Sequence, residues 1–356
     1  MSYSNKMTTI KELGEKYNLN FHMYQDTKYM SIIIEICNSI NLSPSIYDLN
    51  DDNILFIIGI YYHHIKKNYV LMKKYYLMAI NKGNIYSMNY LGHYYQFIEK
   101  NYDQMKKYYL MAIDENDIYS MNNLAVYYSH VKNYDQMKKY YLMAIKNNNI
   151  LSMNNLAHHY KQEKNYNQMK KYYLMAIEKD DVNSMYDLAY YYQETKNYDQ
   201  MIIYYQMAIE KGDSDAMNNL GYFYYYAKNY DQMIIYYQMA IEKGNSETMN
   251  NLGHYYHYIV KNYDLMKKYY SMAIELNNSA AMNNLAYYYD CIDNNNDMMK
   301  KYYLMAIKNN NELAMNNLSN YYATKSNMTE FYDFLMNISD PNQLIINKIN
   351  ALKYVI

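Results

Sequence analysis

A 13-residue phrase that recurs at a nearly fixed spacing is the feature that most constrains the fold of this chain. In one copy it reads Asn-Tyr-Asp-Gln-Met-Lys-Lys-Tyr-Tyr-Leu-Met-Ala-Ile and occupies residues 133–145. Its alanine occurs eight times, at Ala79, Ala112, Ala144, Ala176, Ala208, Ala240, Ala273 and Ala306, at intervals of 32 or 33 residues. Such a period indicates a stack of small units, each packed against its neighbours.

The first segment of each unit has the spacing of an α-helix. Met249, Leu252, Gly253 and Tyr256 stand at offsets 0, 3, 4 and 7 and therefore share one helical face. The fifth position of this pattern is small in every unit: Gly59, Gly92, Ala125, Ala157, Ala189, Gly221, Gly253, Ala286 and Ser319. Glycine inside a helix costs about 1 kcal/mol relative to alanine. We therefore expect a neighbouring helix to approach closely at this position.

The second segment is the recurring phrase itself, and it also reads as a helix. Asn133 is a favourable N-cap, and Tyr134, Met137, Tyr141 and Ala144 form one apolar stripe. Gly or Asn follows the segment, which is typical of a left-handed C-cap. Because the turns between segments are only a few residues long, consecutive helices must pack antiparallel.

The sequence thus predicts an all-α solenoid of about nine antiparallel helix-turn-helix repeats. The array should span residues 51–339, with a degenerate last unit, and a final amphipathic capping helix should lie within 340–356. Residues 1–50 do not follow the repeat; helices are expected over 7–17 and 26–40. They form an N-terminal helical cap, since arrays need atypical ends. The alternative is a small targeting or adaptor motif.

The first-segment pattern resembles the tetratricopeptide repeat over about residues 51–325. The matching positions in one unit are Met249, Leu252, Gly253, Tyr256, Met266, Tyr270 and Ala273. Met stands where that family has its first Trp, Met266 replaces an Ala, and no Pro ends the unit. The stretch 204–221 resembles the Sel-one-like branch, without that branch's Gly-rich insertion. The resemblance implies a right-handed superhelix whose concave groove holds a partner.

The amino-acid composition limits which classes of partner and which cellular compartment are expected. The chain has 34 Lys+Arg against 35 Asp+Glu and contains no Arg, so it lacks the net basic face that nucleic acid requires. It has only two cysteines, and neither a signal peptide nor a membrane-spanning run is apparent. These features favour a cytoplasmic protein without nucleic-acid or membrane partners. The excess of Asn, Ile, Lys and Tyr resembles repeat proteins of giant DNA viruses of amoebae, which would mean the host-cell cytoplasm.

No stretch carries the spacing of a catalytic, cofactor or metal site. His63-His64 and His158-His159 are adjacent pairs, and adjacent side chains on a helix point in different directions, so neither pair should chelate a metal jointly. No His-Glu-x-x-His, paired Cys-x-x-Cys or phosphate-binding glycine loop occurs. We therefore predict a protein that is not an enzyme and that needs no cofactor or metal.

A pair of asparagines follows the first-segment methionine in most units. The second member of the pair recurs in register at Asn123, Asn155, Asn219, Asn251, Asn284 and Asn317. This row resembles the asparagine ladder of superhelical tetratricopeptide proteins, which grips an extended chain through its main-chain amides. The resemblance implies a peptide site in which the amides are solvated or bonded to the peptide, with His158, Tyr222, His254 and Tyr287 adding contacts. The alternative is codon bias at polar, solvated positions.

A second departure lies on the outer face of two adjacent units. The exposed lysines Lys138 and Lys139 become Ile202 and Ile203, and the same change recurs at residues 234–235. One mutated unit that later duplicated explains this, because residues 196–212 recur verbatim at 228–244. The alternative is an apolar patch for a partner or for self-association.

The most direct interpretation is a non-enzymatic scaffold that binds a partner protein or extended peptide in its groove. A self-assembling structural protein is the main alternative, and the oligomeric state stays open. An aggregating Asn/Tyr-rich segment fits the composition but not the strict helical spacing. An unrecognised enzyme is the weakest reading.

Overall fold

The computed structural model describes residues 11–15, 27–39, 42–325 and 327–353, and within these ranges it contains helices and turns but no strand. It divides into two compact units, Met1–Asp180 and Asp181–Ile356. In each unit, consecutive helices pair across short turns, and each pair packs on the next one along the chain. The predicted all-α solenoid architecture is therefore confirmed.

The first unit contains repeats 1 to 4. Repeat 1 pairs Asp52–Ile60, extended by a π-helical turn over Tyr61–Ile65, with Tyr69–Ile80. The pairs of repeats 2, 3 and 4 are Ile85–Phe97 with Tyr102–Asp114, Ile118–His130 with Tyr134–Lys146, and Ile150–Gln162 with Tyr166–Ile177.

The second unit contains repeats 5 to 9. The pairs of repeats 5 and 6 are Val182–Glu194 with Tyr198–Glu210 and Ser214–Tyr226 with Tyr230–Glu242. Repeat 7 pairs Ser246–Tyr255, extended by a π-helical turn over Tyr256–Val260, with Tyr263–Glu275. Repeats 8 and 9 pair Ser279–Cys291 with Asn296–Lys308 and Glu312–Thr324 with Met328–Met336.

Helices also lie at both ends of the array. Thr27–Asn38 packs on repeat 1, and Asp51, the N-cap of repeat 1, accepts hydrogen bonds from Lys28 and Tyr29 at 3.0 Å each. Residues 11–15 are helical, while the rest of the helix predicted over 7–17 lies outside the described residues. Gln343–Leu352 packs against repeats 8 and 9 through residues such as Ile345, which is fully buried.

Backbone caps set the helix ends. The Oδ1 atom of Asn133 accepts from the backbone N–H of Gln136 at 3.2 Å, and an asparagine caps the second helix of every repeat in the same way. The predicted left-handed C-caps are present at Gly212 and Gly244, whose φ angles are 88° and 79°. The first helices end differently, because a lysine such as Lys132 (φ 60°) takes the left-handed conformation there.

The alternation between 32 and 33 residues has a structural cause. In repeats 3 to 6 the N-cap asparagine donates its backbone N–H to the carbonyl five residues earlier, as Asn133 does to Tyr128 at 2.9 Å. In repeats 1, 2, 7 and 8 the same bond reaches six residues back, as from Asn262 to Tyr256 at 2.9 Å. The extra residue is therefore absorbed in a widened turn at the end of the first helix, and the helix pairing is unchanged.

The predicted core stripe is confirmed except at its first position. Met137 and Ala144 are fully buried and Tyr141 is 3% exposed, whereas Tyr134 is 42% exposed. The prediction for Tyr134 was wrong because this residue is the first of its helix and its side chain lies outside the core. Its ring instead packs against His159 of the next repeat, with ring centroids 4.9 Å apart.

The small residue of the first helix faces a buried tyrosine of the second helix, which we call the inner tyrosine. A Cβ atom built on Gly253 would lie 2.6 Å from Cδ1 of Tyr270, and one on Gly59 would lie 2.4 Å from Cδ1 of Tyr76. Both rings are fully buried. The close approach expected from the recurring small residue is therefore present.

Candidate functional site

The asparagine pairs form hydrogen bonds between neighbouring repeats. In the second unit, the Nδ2 atom of Asn251 donates to Oδ1 of Asn218 at 3.1 Å, and Oγ1 of Thr248 donates to the same oxygen at 2.9 Å. The corresponding amide-to-amide bonds elsewhere are Asn155 to Asn122 at 3.3 Å, Asn284 to Asn250 at 2.9 Å and Asn317 to Asn283 at 3.0 Å. In each case the second asparagine of one repeat donates to the first asparagine of the repeat before it.

Inner tyrosines extend this network where the partners are glutamines. Tyr205 donates to Oε1 of Gln193 within its own repeat at 2.9 Å and accepts from Nδ2 of Asn219 in the next repeat at 3.3 Å. Tyr109 repeats the arrangement with a 2.9 Å bond to Gln96 and a side-chain bond to Asn123. Burial raises the pKa of both phenols, so they act as neutral hydrogen-bonding groups.

This network changes the interpretation of the predicted ladder. The six second asparagines are half-buried. The expectation that their amides would be solvated or bonded to a peptide missed a third arrangement, in which they bond the first asparagine of the preceding repeat or a tyrosine. Burying an amide without a partner is costly, so the internal bonds stabilise the stack of repeats. A peptide-binding role for these asparagines stays a prediction.

The residue after the small position is both exposed and aromatic in most repeats, on the first helix of each repeat. The exposed fractions are 42% for Tyr222 and 40% for Tyr287, and His158 and His254 are exposed as well. Repeat 3 places the half-buried Val126 there. The four aromatic residues predicted beside the ladder are therefore accessible to a partner.

Three of the predicted residues meet at one cavity in repeats 6 and 7. Its volume is about 200 Å³, and it is lined by Tyr222, Tyr225, Tyr226, Tyr237, Asn251 and His254. The sequence prediction missed the three tyrosines at 225, 226 and 237. The run of tyrosines ending at Tyr226 was the available signal, but a helical-period aromatic stripe usually packs in a core.

Hydroxyl contacts and ring packing order the cavity wall. The hydroxyls of Tyr222 and Tyr226 are 2.9 Å apart, and their ring centroids are 4.7 Å apart at an interplanar angle of 69°. The ring of Tyr225 lies 5.3 Å from that of Tyr226 at 88°. The hydrogen bond with Tyr226, together with burial, raises the pKa of Tyr222 to about 12. Burial lowers the pKa of His254, so its imidazole is neutral at neutral pH.

The second helices of repeats 5 and 6 carry isoleucines where other repeats have lysines. Ile203 and Ile235 are 46% and 48% exposed, whereas Ile202 and Ile234 are half-buried, so only half of the predicted patch is accessible. In repeat 3 the matching lysine, Lys139, stands 5.0 Å above the ring of Tyr140. Lys138 is only half-exposed, because it pairs with Glu163 of the next repeat at 3.2 Å. The lysines thus cover tyrosine rings and bridge repeats, and the isoleucines cannot form those ion pairs.

The histidine pair of repeat 1 departs from the sequence argument. The rings of His63 and His64 lie 4.2 Å apart, because the π-helical turn changes their relative directions. Burial, with smaller effects from nearby histidines, lowers the pKa of His63 to about 3 and that of His64 to about 4. Across the described ranges, no cluster of three or more His, Cys, Asp or Glu residues could hold a metal ion. Nor does any described helix combine the length and apolarity needed to cross a membrane.

Comparison with known proteins identifies the fold. No protein-family model matches the chain, and no curated protein matches it either. A solved protective antigen of uropathogenic Escherichia coli strains, displaying an SLR (Sel1-like repeat) fold, is 20% identical with a TM-score of 0.52. The match covers 77% of this chain and 65% of the antigen, so this chain spans less than two thirds of that protein.

Two further solved structures are similar at lower TM-scores. A Sel1 repeat protein from Oxalobacter formigenes is 22% identical with a TM-score of 0.48, over 63% of this chain and 99% of that one. The human IFIT1 dimer with PPP-AAAA is 15% identical with a TM-score of 0.42, over 83% and 76% of the two chains. The prediction that nucleic acid is not a partner, and the likeness in composition to viral repeat proteins, stay predictions. The match to the antigen shows that the chain is similar in fold to a Sel1-like helical-repeat protein.

Proposed function

We propose that this chain is a non-enzymatic scaffold that binds an extended peptide segment of a partner protein along the first helices of repeats 6 to 8. The observation that carries the proposal is the cavity where Tyr222, Asn251 and His254 meet, beside the exposed Tyr287. An extended peptide offers main-chain donors and acceptors at regular intervals. Amide and phenol groups on successive repeats match that pattern.

The affinity comes from several repeats acting together. Each polar or stacking contact contributes about 1 kcal/mol net, so one repeat alone binds weakly. Asn284 in repeat 8, and Asn317 in the adjoining repeat 9, add amide groups, with part of their hydrogen-bonding capacity used between repeats. In the first unit, Asn123, Asn155 and His158 form a second stretch of the same kind.

Selection of a random peptide library against the immobilised chain tests the proposal. Peptides that bind are compared on the wild type and on a triple variant, Tyr222→Ala with His254→Ala and Tyr287→Ala. Loss of three contacts of about 1 kcal/mol each weakens binding about a hundredfold. The control is Tyr119→Ala, a 57% exposed tyrosine at the start of a first helix in repeat 3. Unchanged binding by the triple variant, at wild-type helicity, contradicts the proposal.

Self-assembly through the isoleucine patch is the second candidate function. The observation that favours it is the exposure of Ile203 and Ile235 on adjacent repeats, where other repeats carry lysine. Light scattering over a range of concentrations separates the two functions. A structural protein grows with concentration, and Ile203→Lys with Ile235→Lys abolishes the growth. A scaffold keeps its mass in both forms.

A further inference from the structure

The aromatic cavity of repeats 6 and 7 is more elaborate than the fold requires. Residues 225 and 226 are both tyrosine in repeat 6, whereas the matching positions are Ser129 and His130 in repeat 3 and Gln193 and Glu194 in repeat 5. Gln193 at the first of these positions bonds the inner tyrosine of its repeat. The stack therefore forms without tyrosines here. Tyr225 packs partly against the core, but the 65% exposed Tyr226 calls for another explanation.

The geometry of the rings encloses a small space. Tyr226 is 65% exposed at the mouth, and Tyr237, the inner tyrosine of repeat 6, is 1% exposed. The neighbouring rings of Tyr222 and Tyr225 are inclined to that of Tyr226 by 69° and 88°. Aromatic surfaces thus bound the cavity on more than one side. Its volume of about 200 Å³ equals several water molecules at about 30 Å³ each, which suits a compact head group.

The electrostatics of the lining favour a positive charge. The lining contains no lysine, aspartate or glutamate, so no resident ammonium occupies the rings and no carboxylate is present to bind one as an ion pair. The Asn251 amide nitrogen is bonded to Asn218, and its carbonyl oxygen is not part of that bond. Phenol oxygens and this carbonyl oxygen are acceptors, and the face of an aromatic ring attracts cations.

The same chain shows that its tyrosines take ammonium groups. Lys325 stands 4.2 Å from the ring centroid of Tyr321 and donates to its hydroxyl at 2.8 Å. Lys138 lies 5.2 Å from the ring centroid of Tyr160 in the next repeat. In repeat 6 the rings of the cavity have no such lysine of their own among the described contacts. A cation from outside is the complementary ligand.

We propose that this cavity is a subsite for an alkylammonium group, namely a lysine side chain of the bound peptide in its plain or N-methylated form. The inference rests on the proposed function only in that a peptide delivers the ammonium. Each N-methyl group replaces an N–H donor, so it weakens the hydration of the ammonium and makes the group larger. The trimethylated form therefore fills the aromatic cavity best.

A small probe tests the subsite independently of any peptide. N-acetyl-trimethyllysine methylamide is titrated into the full chain by ligand-observed NMR, beside N-acetyl-lysine methylamide and a carbon isostere with a tert-butyl head. The charged trimethylated probe is expected to bind at least about tenfold more tightly than the isostere, because only the cation gains from the ring faces. Equal binding of probe and isostere, or no binding of the probe, overturns the proposal.

Variants locate the binding. Tyr226→Leu and Tyr225→Gln, which introduces the residue that repeats 2 and 5 carry there, are each expected to weaken probe binding about threefold to tenfold. Tyr119→Leu in repeat 3 is the control and leaves binding unchanged. Full binding by both cavity variants contradicts the assignment. If a selected peptide loses affinity in the Tyr222, His254 and Tyr287 variant while the probe does not bind, the subsite fails and the scaffold function stands.

Discussion

Replacement of Gly253 by alanine should fail to give the stabilisation that alanine normally brings to a helix. Gly253 lies inside the first helix of repeat 7, where alanine is favoured over glycine by about 1 kcal/mol. The new Cβ atom would lie 2.6 Å from Cδ1 and 2.7 Å from Cε1 of Tyr270. Carbon atoms in ordinary contact are about 3.5–4.0 Å apart, so the ring must withdraw by about 1 Å.

The energetic cost of moving the ring decides whether Gly253→Ala stabilises or destabilises the repeat. Tyr270 is fully buried, and its hydroxyl has no hydrogen-bond partner in the described part of the chain. Overpacking in such surroundings costs about 1–3 kcal/mol. After the helical gain of about 1 kcal/mol is subtracted, Gly253→Ala should be neutral or destabilise repeat 7 by up to about 2 kcal/mol.

Hydrogen exchange measured by mass spectrometry on peptides of repeat 7 is the appropriate assay, because repeat arrays open locally and a global melt dilutes the effect. The control is the same substitution in a Tyr270→Leu background, where the missing ring should let Gly253→Ala recover its gain. Slower exchange in repeat 7 of the single variant, by the full 1 kcal/mol or so, would show that the ring does not restrict this position.

Three further outcomes follow from the backbone, burial and hydrogen bonds. Lys132→Gly should stabilise the chain by up to about 1 kcal/mol, because Lys132 has φ 60°, whereas Lys139→Gly inside a helix should cost about 1 kcal/mol; chemical denaturation compares them. Burial holds the pKa of His63 at about 3, below the usual value near 6.5, so the unfolded chain takes up the proton first and stability falls as the pH drops below about 6.5. The fall in unfolding free energy between neutral pH and pH 5 should therefore be about 2 kcal/mol smaller in His63→Gln than in the wild type. An equal fall in the two proteins would contradict this prediction. Asn218→Ala should cost about 1–3 kcal/mol, since it removes the acceptor of the Asn251 amide, although Thr248 keeps Asn245 as an acceptor; Asn251→Ala leaves Asn218 bonded to Thr248 and should cost about 0.5–1.5 kcal/mol, and equal costs in denaturation would refute the asymmetry.

Much of the fold could be predicted from the sequence because every repeat must meet the same backbone requirements. An N-cap side chain, a left-handed residue after a helix and a small residue under a ring each need a residue type at a fixed place, and the repeat displays these places many times over. The position of the extra residue was readable too. Ala125 and the inner tyrosine Tyr141 are 16 residues apart, whereas Gly253 and Tyr270 are 17 apart.

The candidate site was less predictable, because it depends on how one repeat is placed on the next. Asn218 and Asn251 are separated by 33 residues, and periodicity alone does not say that their amides meet. Tyr225 packs against the core and against the ring of Tyr230, and together with Tyr226 it also lines an open cavity, which periodicity alone does not predict. The prediction of Tyr134 as core failed for the same reason, since its contact lies in the next repeat.

Tyrosine footprinting tests most directly the claim that a peptide lies along the first helices. The chain is labelled with a tyrosine-selective reagent, with and without a peptide selected from the library, and the labelled sites are read by mass spectrometry. The account predicts that the peptide lowers labelling of Tyr222, Tyr226 and Tyr287 severalfold and leaves unchanged Tyr198, a 44% exposed residue at the start of a second helix. Protection of Tyr198 with full labelling of the other three would contradict it and place the partner on the opposite helices.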